Sequence, residues 1–364
     1  MKKIKIIYSI LFLLVIAAGC AKEDGISKDL SFVNSAGTAN VSKIFDISND
    51  NSGNVKITPL GEGVASYTIN FGDATGGVGV QTVAPGYSAT HAYPEGSYTV
   101  SIISYDIAGR STTTTYPLTV TYRAPENLTV TVQSGKVSAT ALYAKGFLVY
   151  YGDVPNETGT PMAIGQTLPE HVYPAGGPYD LKVIAKSGGA ATTQGIKTLF
   201  GFPLTFESPT MDYFFGTFGN VNFSKVANPN PSGLNTSAMV GKYQKPAGAE
   251  TWSGTYSPMD IPLNLAYGKK VKILVYNPDP ANIGKKLNVE LEAAIAGTGA
   301  TANGVGVLKA PITTSGAWEE LVFDFSTIPA IGPSARFGQL VFRFNDVAMG
   351  NGEVIYVDNI RITN

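Results

Sequence analysis

Residues 91–100 read HAYPEGSYTV and residues 171–181 read HVYPAGGPYDL. They begin at His91 and His171, which are the two histidines of the 364-residue chain. Each histidine follows an aromatic–Gly–Asp turn by eighteen residues, because YTINFGD ends at Asp73 and GFLVYYGD ends at Asp153. The two segments therefore repeat at an offset of 80 residues. A fixed period of this kind indicates two copies of one domain.

Each copy has the pattern of a small β-sandwich. Short alternating strands, such as Ser97–Ser104 and Tyr179–Ala185, are separated by Gly, Pro and Asn clusters. The aromatic–Gly–Asp turn, His-x-Tyr and Gly-x-Tyr-x-Val resemble the PKD family, an immunoglobulin-like sandwich, over about residues 37 to 200. The resemblance implies that each histidine hydrogen-bonds the backbone of the turn before it. Catalytic bases or metal ligands are the alternative, but we do not expect histidines in two separate domains to share one metal.

The composition predicts an all-β protein. The chain has 41 glycines, 19 tyrosines and 17 phenylalanines, and its short strands alternate apolar and polar residues. A net charge of −1 with 15% charged residues leaves no basic surface for nucleic acid. Because no histidine follows residue 171, the sequence also excludes histidine-based catalysis from the last half of the chain.

The amino terminus resembles a bacterial lipoprotein signal. Lysines precede an apolar run over Ile6–Ile16, which is shorter than a membrane-spanning helix, and small residues lead into Cys20, the sole cysteine. The resemblance implies a signal peptide at 1–19, lipidation of Cys20 and a tether at 20–36. Lys22–Asp24 resembles the acidic signal that sends Bacteroidetes lipoproteins to the exterior of the outer membrane, although a solvated tether start is the alternative.

The repeat ends near Thr198, and residues 201–364 have the strand pattern of a jelly-roll sandwich. We therefore predict two PKD-like domains at 37–122 and 123–200, followed by a jelly-roll domain at 201–364. The candidate strands of the last domain are Lys270–Tyr276, Lys286–Glu292, Glu320–Phe325, Gln339–Phe344 and Val354–Ile362.

Five motifs in residues 201–364 together resemble the β-sandwich carbohydrate-binding modules that accompany glycoside hydrolases. In chain order they are LTFE at 204–207, NPNPSGLNTSAMVGKY at 228–243, WSG at 252–254, GAWE at 316–319 and VDNIRI at 357–362. We expect LTFE to be the first strand, beside the last one, and WSG to end a short strand. Glu207 and Asp358 would then share one cation, and the resemblance implies a structural Ca²⁺. Ordinary edge-strand acids are the alternative.

Aromatic rings are the candidate ligand contacts, because the flat C–H faces of sugars stack on them. Trp252 ranks first because its surroundings, AETWSGTY, are rich in turn residues. Trp318 precedes a regular strand and is expected to be structural. The ligand-binding candidates are Trp252, Tyr256, Tyr243, Tyr213 and Phe214.

Two carboxylate pairs have the spacing of a glycosidase strand, namely Glu290 with Glu292 and Glu320 with Asp324. Neither pair has the Glu-x-Asp-x-x-Glu context of family-16 hydrolases, and the outer face of a solvated strand produces such pairs by chance. We therefore expect no enzyme.

The domain order resembles that of the surface glycan-binding lipoproteins of Bacteroidetes polysaccharide-utilisation systems. The resemblance implies a polysaccharide ligand and, as partners, a SusD-like protein and its outer-membrane transporter. We expect the ligand to be a β-glucan such as laminarin. A surface adhesin or assembly protein that binds a protein partner is the alternative, because exposed aromatic loops serve both functions.

Overall fold

The computed structural model describes residues 31–73, 79–175, 177–300 and 306–364. Strands make up 52% of the structure and helices 4%, which confirms the all-β fold class. The described helices are α1 (Ser31–Ser35) and the 3₁₀ turns Leu265–Tyr267, Pro280–Asn282 and Phe325–Thr327. None of the described helices has the length and hydropathy of a membrane span. The predicted signal peptide and Cys20 lie outside the described residues.

The chain forms two compact units that divide between Thr121 and Tyr122. The first unit contains the first sequence copy. The second contains both the second copy and the predicted carbohydrate-binding segment. The division into domains at 37–122, 123–200 and 201–364 stays a prediction.

The first small sandwich consists of two antiparallel sheets. Its strands are β1 (Ala39–Ile47), β2 (Asn54–Glu62), β3 (Ser66–Asn70), β4 (Val80–Val83), β5 (Ala89–Ala92), β6 (Gly96–Tyr105) and β7 (Ser111–Val120). One sheet has the order β1-β2-β5 and the other β4-β3-β6-β7. Val55 and Ile57 on β2, Ile69 on β3 and Val100 and Ile102 on β6 are fully buried in its core.

The second small sandwich, in the second unit, repeats this topology. Its strands are β8 (Glu126–Gln133), β9 (Lys136–Leu142), β10 (Gly146–Tyr150), β11 (Thr160–Met162), β12 (Asp180–Lys186) and β13 (Thr192–Thr198). The sheet β11-β10-β12-β13 matches β4-β3-β6-β7, and β8-β9 matches β1-β2. A single bridge between Ser138 and Thr167 stands where β2 pairs with β5 in the first copy. The matching order confirms the internal repeat.

The half-buried His91 packs against the core of its sandwich. Its ring stacks on Phe71 with centroids 4.1 Å apart, and its Nε2 lies 2.7 Å from Asp73 Oδ2. The hydroxyl of Tyr93 donates to the Phe71 carbonyl at 3.0 Å. The expectation that the histidine binds the turn backbone is therefore wrong, because the histidine bonds the aspartate side chain and the nearby tyrosine bonds the backbone.

The second copy repeats the ring stacking and the histidine–aspartate contact around His171, but the Tyr173 hydroxyl has no hydrogen-bond partner among the described residues. This ring stacks on Tyr151 with centroids 3.9 Å apart, and Nε2 lies 2.8 Å from Asp153 Oδ2. Because each histidine bonds the aspartate of its own turn, the structural interpretation of both histidines is confirmed.

The C-terminal sandwich, residues 201–364, has two five-stranded antiparallel sheets around one core. Its strands are β14 (Gly216–Phe218), β15 (Asn222–Ala227), β16 (Met239–Lys245), β17 (Gly254–Asn264), β18 (Lys270–Tyr276), β19 (Lys286–Ala294), β20 (Gly306–Pro311), β21 (Trp318–Asp324), β22 (Arg336–Phe344) and β23 (Glu353–Thr363). We name β14-β17-β22-β19-β20 the front sheet and β15-β16-β23-β18-β21 the back sheet.

The strand prediction for this segment is confirmed, with β18 matching it at both ends and the other four shifted by at most three residues. Two details are wrong. LTFE forms a single bridge, between Leu204 and Ile360, in place of a strand. Gly254 begins β17 and does not end a strand, because Trp252 and Ser253 lie in the preceding turn.

The second small sandwich is bonded to the C-terminal sandwich through the bulged part of β17. Gly135, in the β8–β9 turn, donates its N–H to the Asp260 carbonyl at 2.7 Å, and Ile261 donates to the Phe200 carbonyl at 3.1 Å. The Asp260 carboxylate accepts from the Phe200 N–H at 3.0 Å and from Lys197 Nζ at 2.9 Å. The Gly135 bond holds the β8–β9 turn against one end of the front sheet, and the others hold the segment after β13 to the same part of β17.

Candidate functional site

Two aromatic rings lie across glycines on the outer face of the front sheet. In the β14–β17 pairing, Gly216 is opposite Tyr256 and Phe218 is opposite Gly254. A Cβ built on Gly216 would lie 2.4 Å from Tyr256 Cζ, and one on Gly254 would lie 2.6 Å from Phe218 Cζ. Each glycine therefore supplies the space in which the opposite ring packs against the backbone.

Two further rings extend this surface. Trp252 is 53% exposed, and its plane is within 4° of that of Phe218 at a centroid distance of 6.1 Å. Phe214 is 50% exposed and meets the Tyr256 ring edge-on at 6.1 Å. We name Phe214, Phe218, Trp252 and Tyr256 the aromatic platform.

Charged side chains border the platform on the neighbouring strands. Arg343 on β22 lies over the Phe218 ring, 5.6 Å from its centroid, and its Nε is 3.0 Å from Glu290 Oε1 on β19. Burial raises the pKa of Glu290, and the Arg343 charge opposes that shift. The pair is thus a fixed guanidinium–carboxylate group beside the rings, with Arg343 as its more accessible partner.

A second polar group continues the border along the sheet. Gln339 Nε2 donates to Glu292 Oε2 at 2.6 Å. These two side chains, with Phe218, Tyr256 and Val341, line a depression of about 260 Å³. Its floor is thus apolar and its rim polar, the combination that sugar rings with hydroxyl edges require.

A third polar cluster lies level with Arg343. Asn288 Nδ2 donates to Asp346 Oδ2 at 2.7 Å, and Lys309 Nζ lies 2.5 Å from the same oxygen. Burial raises the pKa of Asp346, but the bonds from Lys309 and Asn288 outweigh it, so the pKa is lowered. Asp346 is therefore held as a carboxylate.

The carboxylate pairs considered for catalysis are engaged in internal contacts. Glu290 lies on the outer face as predicted, but it is 3% exposed and paired with Arg343, so the expectation of a solvated strand face is wrong there. On the back sheet, Glu320 pairs with Lys272 and Arg361, and Asp324 accepts from the Ser326 N–H at 3.0 Å.

Three of the five predicted ligand contacts, Trp252, Tyr256 and Phe214, are brought together in the platform. Tyr213 is half-buried, stacks on Phe206 of the core at 5.1 Å and accepts a bond from the Ser208 N–H at 3.1 Å. It packs against the core and does not join the platform.

Tyr243 corrects the prediction most clearly. It is 1% exposed in the core, and its hydroxyl donates to the Ser253 carbonyl at 3.4 Å. Burial raises its pKa to about 12. The ring has no free face for a ligand, because the inward positions of β16 face the opposite sheet.

Sequence reasoning missed Phe218, Arg343 and Gln339. A signal for Phe218 was present in the repeated Gly-Thr-aromatic tripeptides, GTF at 216–218 and GTY at 254–256. Paired antiparallel with aligned ends, such tripeptides place each ring over the other strand's glycine.

Trp318, in contrast, is structural as expected. It is 6% exposed on the back sheet, where it packs with Val240 and Leu274. Its Nε1 donates to the Asn230 carbonyl at 2.8 Å.

The candidate cation ligands lie around one segment, residues 235–239. Asp358 is 1% exposed and accepts from Asn235 Nδ2 at 2.8 Å and Ser237 Oγ at 2.5 Å. Glu207 Oε1 accepts from the Met239 N–H at 2.7 Å. Burial raises the pKa of Asp358, and the charge of Glu207 adds to the shift.

A cation shared by Glu207 and Asp358 would relieve the repulsion between their like charges. In this structure their oxygens accept instead from the Asn235 amide nitrogen, the Ser237 hydroxyl and the Met239 N–H. Groups of three or more His, Cys, Asp or Glu side chains with metal-site geometry do not occur in the described residues. A cation here would therefore rely on Glu207, Asp358 and neutral oxygens.

Comparison with known proteins finds structural likeness only. No family model matches the chain, and no curated protein matches it. A carbohydrate-binding module of the β-sandwich superfamily is 14% identical, covering 88% of this chain and 97% of its own, with a TM-score of 0.28. A second match is a family 11 carbohydrate-binding module from Clostridium thermocellum, in complex with a β-1,3-1,4-mixed-linked tetrasaccharide. It is 12% identical and the match covers 44% of this chain and 97% of its own, with a TM-score of 0.28. The cleaved adhesin domain of Lys-gingipain from Porphyromonas gingivalis is 15% identical. The match covers 44% of this chain and 96% of that domain, with a TM-score of 0.30.

Proposed function

We propose that this protein binds a polysaccharide, without catalysis, on the front sheet of its C-terminal sandwich. The observation that carries the proposal is the pair of rings, Tyr256 and Phe218, packed over glycines, with exposed Trp252 and Phe214 beside them. Rings held this way keep their outer faces for a ligand and lose little conformational entropy when it binds.

The energetics suit reversible capture. Covering about 80 Å² of apolar surface per ring stabilises a complex by roughly 2 kcal/mol at ~25 cal/mol/Å². Two or three such contacts, less the cost of association, give dissociation constants of about micromolar to millimolar. Arg343, Gln339 and Glu292 border the rings and offer hydrogen bonds to sugar hydroxyls.

A non-catalytic role fits the state of the acidic groups. Glu290 is paired with Arg343, and Glu292 with Gln339. In the C-terminal sandwich neither histidine nor cysteine occurs, so the acids would have to act alone. Their hydrogen bonds position them as fixed partners for sugar hydroxyls.

We place this binding at the outside of the outer membrane. The supporting features are the lipobox-like sequence ending at Cys20 and the acidic stretch Lys22–Asp24. The protein would capture a β-glucan such as laminarin and pass it to a SusD-like protein and its transporter. A structural Ca²⁺ held by Glu207 and Asp358 would keep the 235–239 segment in place.

Affinity electrophoresis tests the proposal. The protein is run in gels containing laminarin, mixed-linkage glucan, xylan, mannan or alginate, with Trp252→Ala and Trp318→Phe alongside. We expect one polysaccharide to retard the protein and its Trp318→Phe variant, but to retard Trp252→Ala far less. If no polysaccharide in the panel retards the folded protein, glycan binding is wrong and the protein-binding adhesin takes its place.

A further inference from the structure

The β8–β9 turn of the second small sandwich lies over the end of the front sheet. A Cβ on Gly338 of β22 would lie 2.4 Å from Ser134 Oγ in this turn. The Ser134 N–H donates to the Met259 carbonyl at 3.2 Å, and Arg336 NH1 lies 2.7 Å from Glu170 Oε1. These contacts hold the turn at a fixed place beside the outer face that carries the platform.

A groove of about 530 Å³ opens at this contact. We name it the hairpin groove. The C-terminal sandwich contributes the end of β19 and the residues after it, and the second small sandwich contributes mainly polar side chains. Its lining residues are Thr131, Gln133, Ser134, Lys136, Ser138, Thr167, Glu170 and Ala293–Ala296.

The hairpin groove and the depression beside the platform are lined by adjoining residues of β19. Glu292 lines that depression and Ala293, the next residue on β19, lines the groove. Gln339 and Gly338 are neighbours in the same way on β22, with Ser134 next to Gly338. The two recesses therefore lie next to each other at the Glu292–Ala293 step of β19.

The groove has the chemistry of a hydroxyl-binding surface. Thr131, Gln133, Lys136 and Thr167 are exposed, and together they offer hydroxyl, amide and ammonium groups. The groove's lining includes no aromatic residue. It therefore suits the hydroxyl edges of a sugar chain whose rings stack on the aromatic platform.

We propose that a polysaccharide chain bound on the platform continues into the hairpin groove, so that the second small sandwich forms part of the binding surface. This inference rests on the proposed function. Phe218 is level with Arg343 on the sheet, and the groove begins level with Gly338. Five residues of β22 span about 17 Å at ~3.4 Å each. A short oligosaccharide covers the platform alone, whereas a longer one reaches the groove.

Calorimetric titration with a size series tests the inference. The probe is the set of size-fractionated oligosaccharides from the polysaccharide that retards the protein in the gels. The test variant is Gln133→Ala with Lys136→Ala. The control is Lys145→Ala with Gln194→Ala, which removes the same two exposed side-chain types from the same sandwich outside the groove.

We expect affinity to rise with length beyond the size that fills the platform. The test variant should lose about 5- to 10-fold in affinity for the longest oligosaccharides, the equivalent of one or two hydrogen bonds, and nothing for the shortest. The control should bind as wild type does at every length.

Two results would refute binding in the hairpin groove without affecting the platform. One is an affinity that stops rising at a platform-sized oligosaccharide, and the other is an unchanged affinity in the test variant. Loss of affinity in the test variant at all lengths equally would also overturn it, because the groove would then not be a separate subsite. If wild type binds no oligosaccharide of any size, the proposed function and the groove are both wrong.

Discussion

Replacement of Tyr256 by alanine is the sharpest test of the aromatic platform. The ring is half-exposed, packs over Gly216 and contacts both Phe214 and Phe218. If it covers about 80 Å² of a sugar, its loss costs roughly 2 kcal/mol at ~25 cal/mol/Å². Since ~1.4 kcal/mol is tenfold in affinity, the dissociation constant should rise about 30-fold.

Gly216→Ala perturbs the same ring without removing it. Its Cβ would lie 2.4 Å from Tyr256 Cζ, so the ring must move off the strand. We expect this variant to lose affinity in the same direction as Tyr256→Ala, although every aromatic side chain is still present. Gly146→Ala is the matched control, because the nearest atom to its Cβ, Met162 O, is 3.5 Å away.

The assay is calorimetric titration with the retained polysaccharide's oligosaccharides, and thermal unfolding verifies that each variant is folded. Tyr87→Ala, at a tyrosine that is 69% exposed in the first small sandwich, should bind as wild type does. Wild-type affinity in folded Tyr256→Ala would refute the reasoning, because no glycan could use the platform without touching its central ring.

Three further outcomes follow from the described contacts. Burial and the Glu207 charge raise the pKa of Asp358 in the folded protein, so its charged form opposes folding. Without Ca²⁺, the contribution of Asp358 to the free energy of unfolding should therefore become more favourable as pH falls through its folded pKa. Ca²⁺ should raise the unfolding temperature at neutral pH and less at acidic pH, and Asp358→Asn should remove both effects. Trp318→Phe loses the hydrogen bond to the Asn230 carbonyl, so the free energy of unfolding in denaturant should fall by about 1 kcal/mol while glycan affinity stays unchanged. A large loss of glycan affinity would instead place the binding site on the back sheet. His171→Gln should lower the free energy of unfolding by about 1–2 kcal/mol and leave glycan affinity unchanged. The effect of chelators on the unfolding temperature should be the same as in wild type; if the variant loses that effect, the histidine is a metal ligand.

The fold was predictable where the sequence repeats or alternates. The offset between His91 and His171 identified the duplicated sandwich, because the same turn chemistry recurs around both residues. The candidate strand Lys286–Glu292 alternates apolar and polar residues, and its apolar residues Leu287, Val289 and Leu291 are each at most 1% exposed in the core.

The candidate site was predictable only in part. Trp252 was recognised because the turn residues around it indicate exposure, and it is 53% exposed. The prediction that Tyr243 contacts the ligand was wrong, because its proximity to a loop in the sequence does not reveal which face of β16 it occupies. Arg343 was missed because its place over Phe218 depends on the pairing of β14, β17 and β22, which connects residues far apart in the chain.

The glycines explain why the platform and its rim occur on the front sheet. A residue larger than glycine at Gly216 or Gly254 would push the opposite ring outward. Upright rings would divide the surface into separate ridges and separate the apolar floor from Arg343 and Gln339. With both rings against the backbone, the floor lies between the two polar side chains along β22. The same rule applies at Gly338, where a side chain would displace Ser134 of the β8–β9 turn. Glycines on β14, β17 and β22 thus determine how closely the platform rings and the β8–β9 turn approach the front sheet.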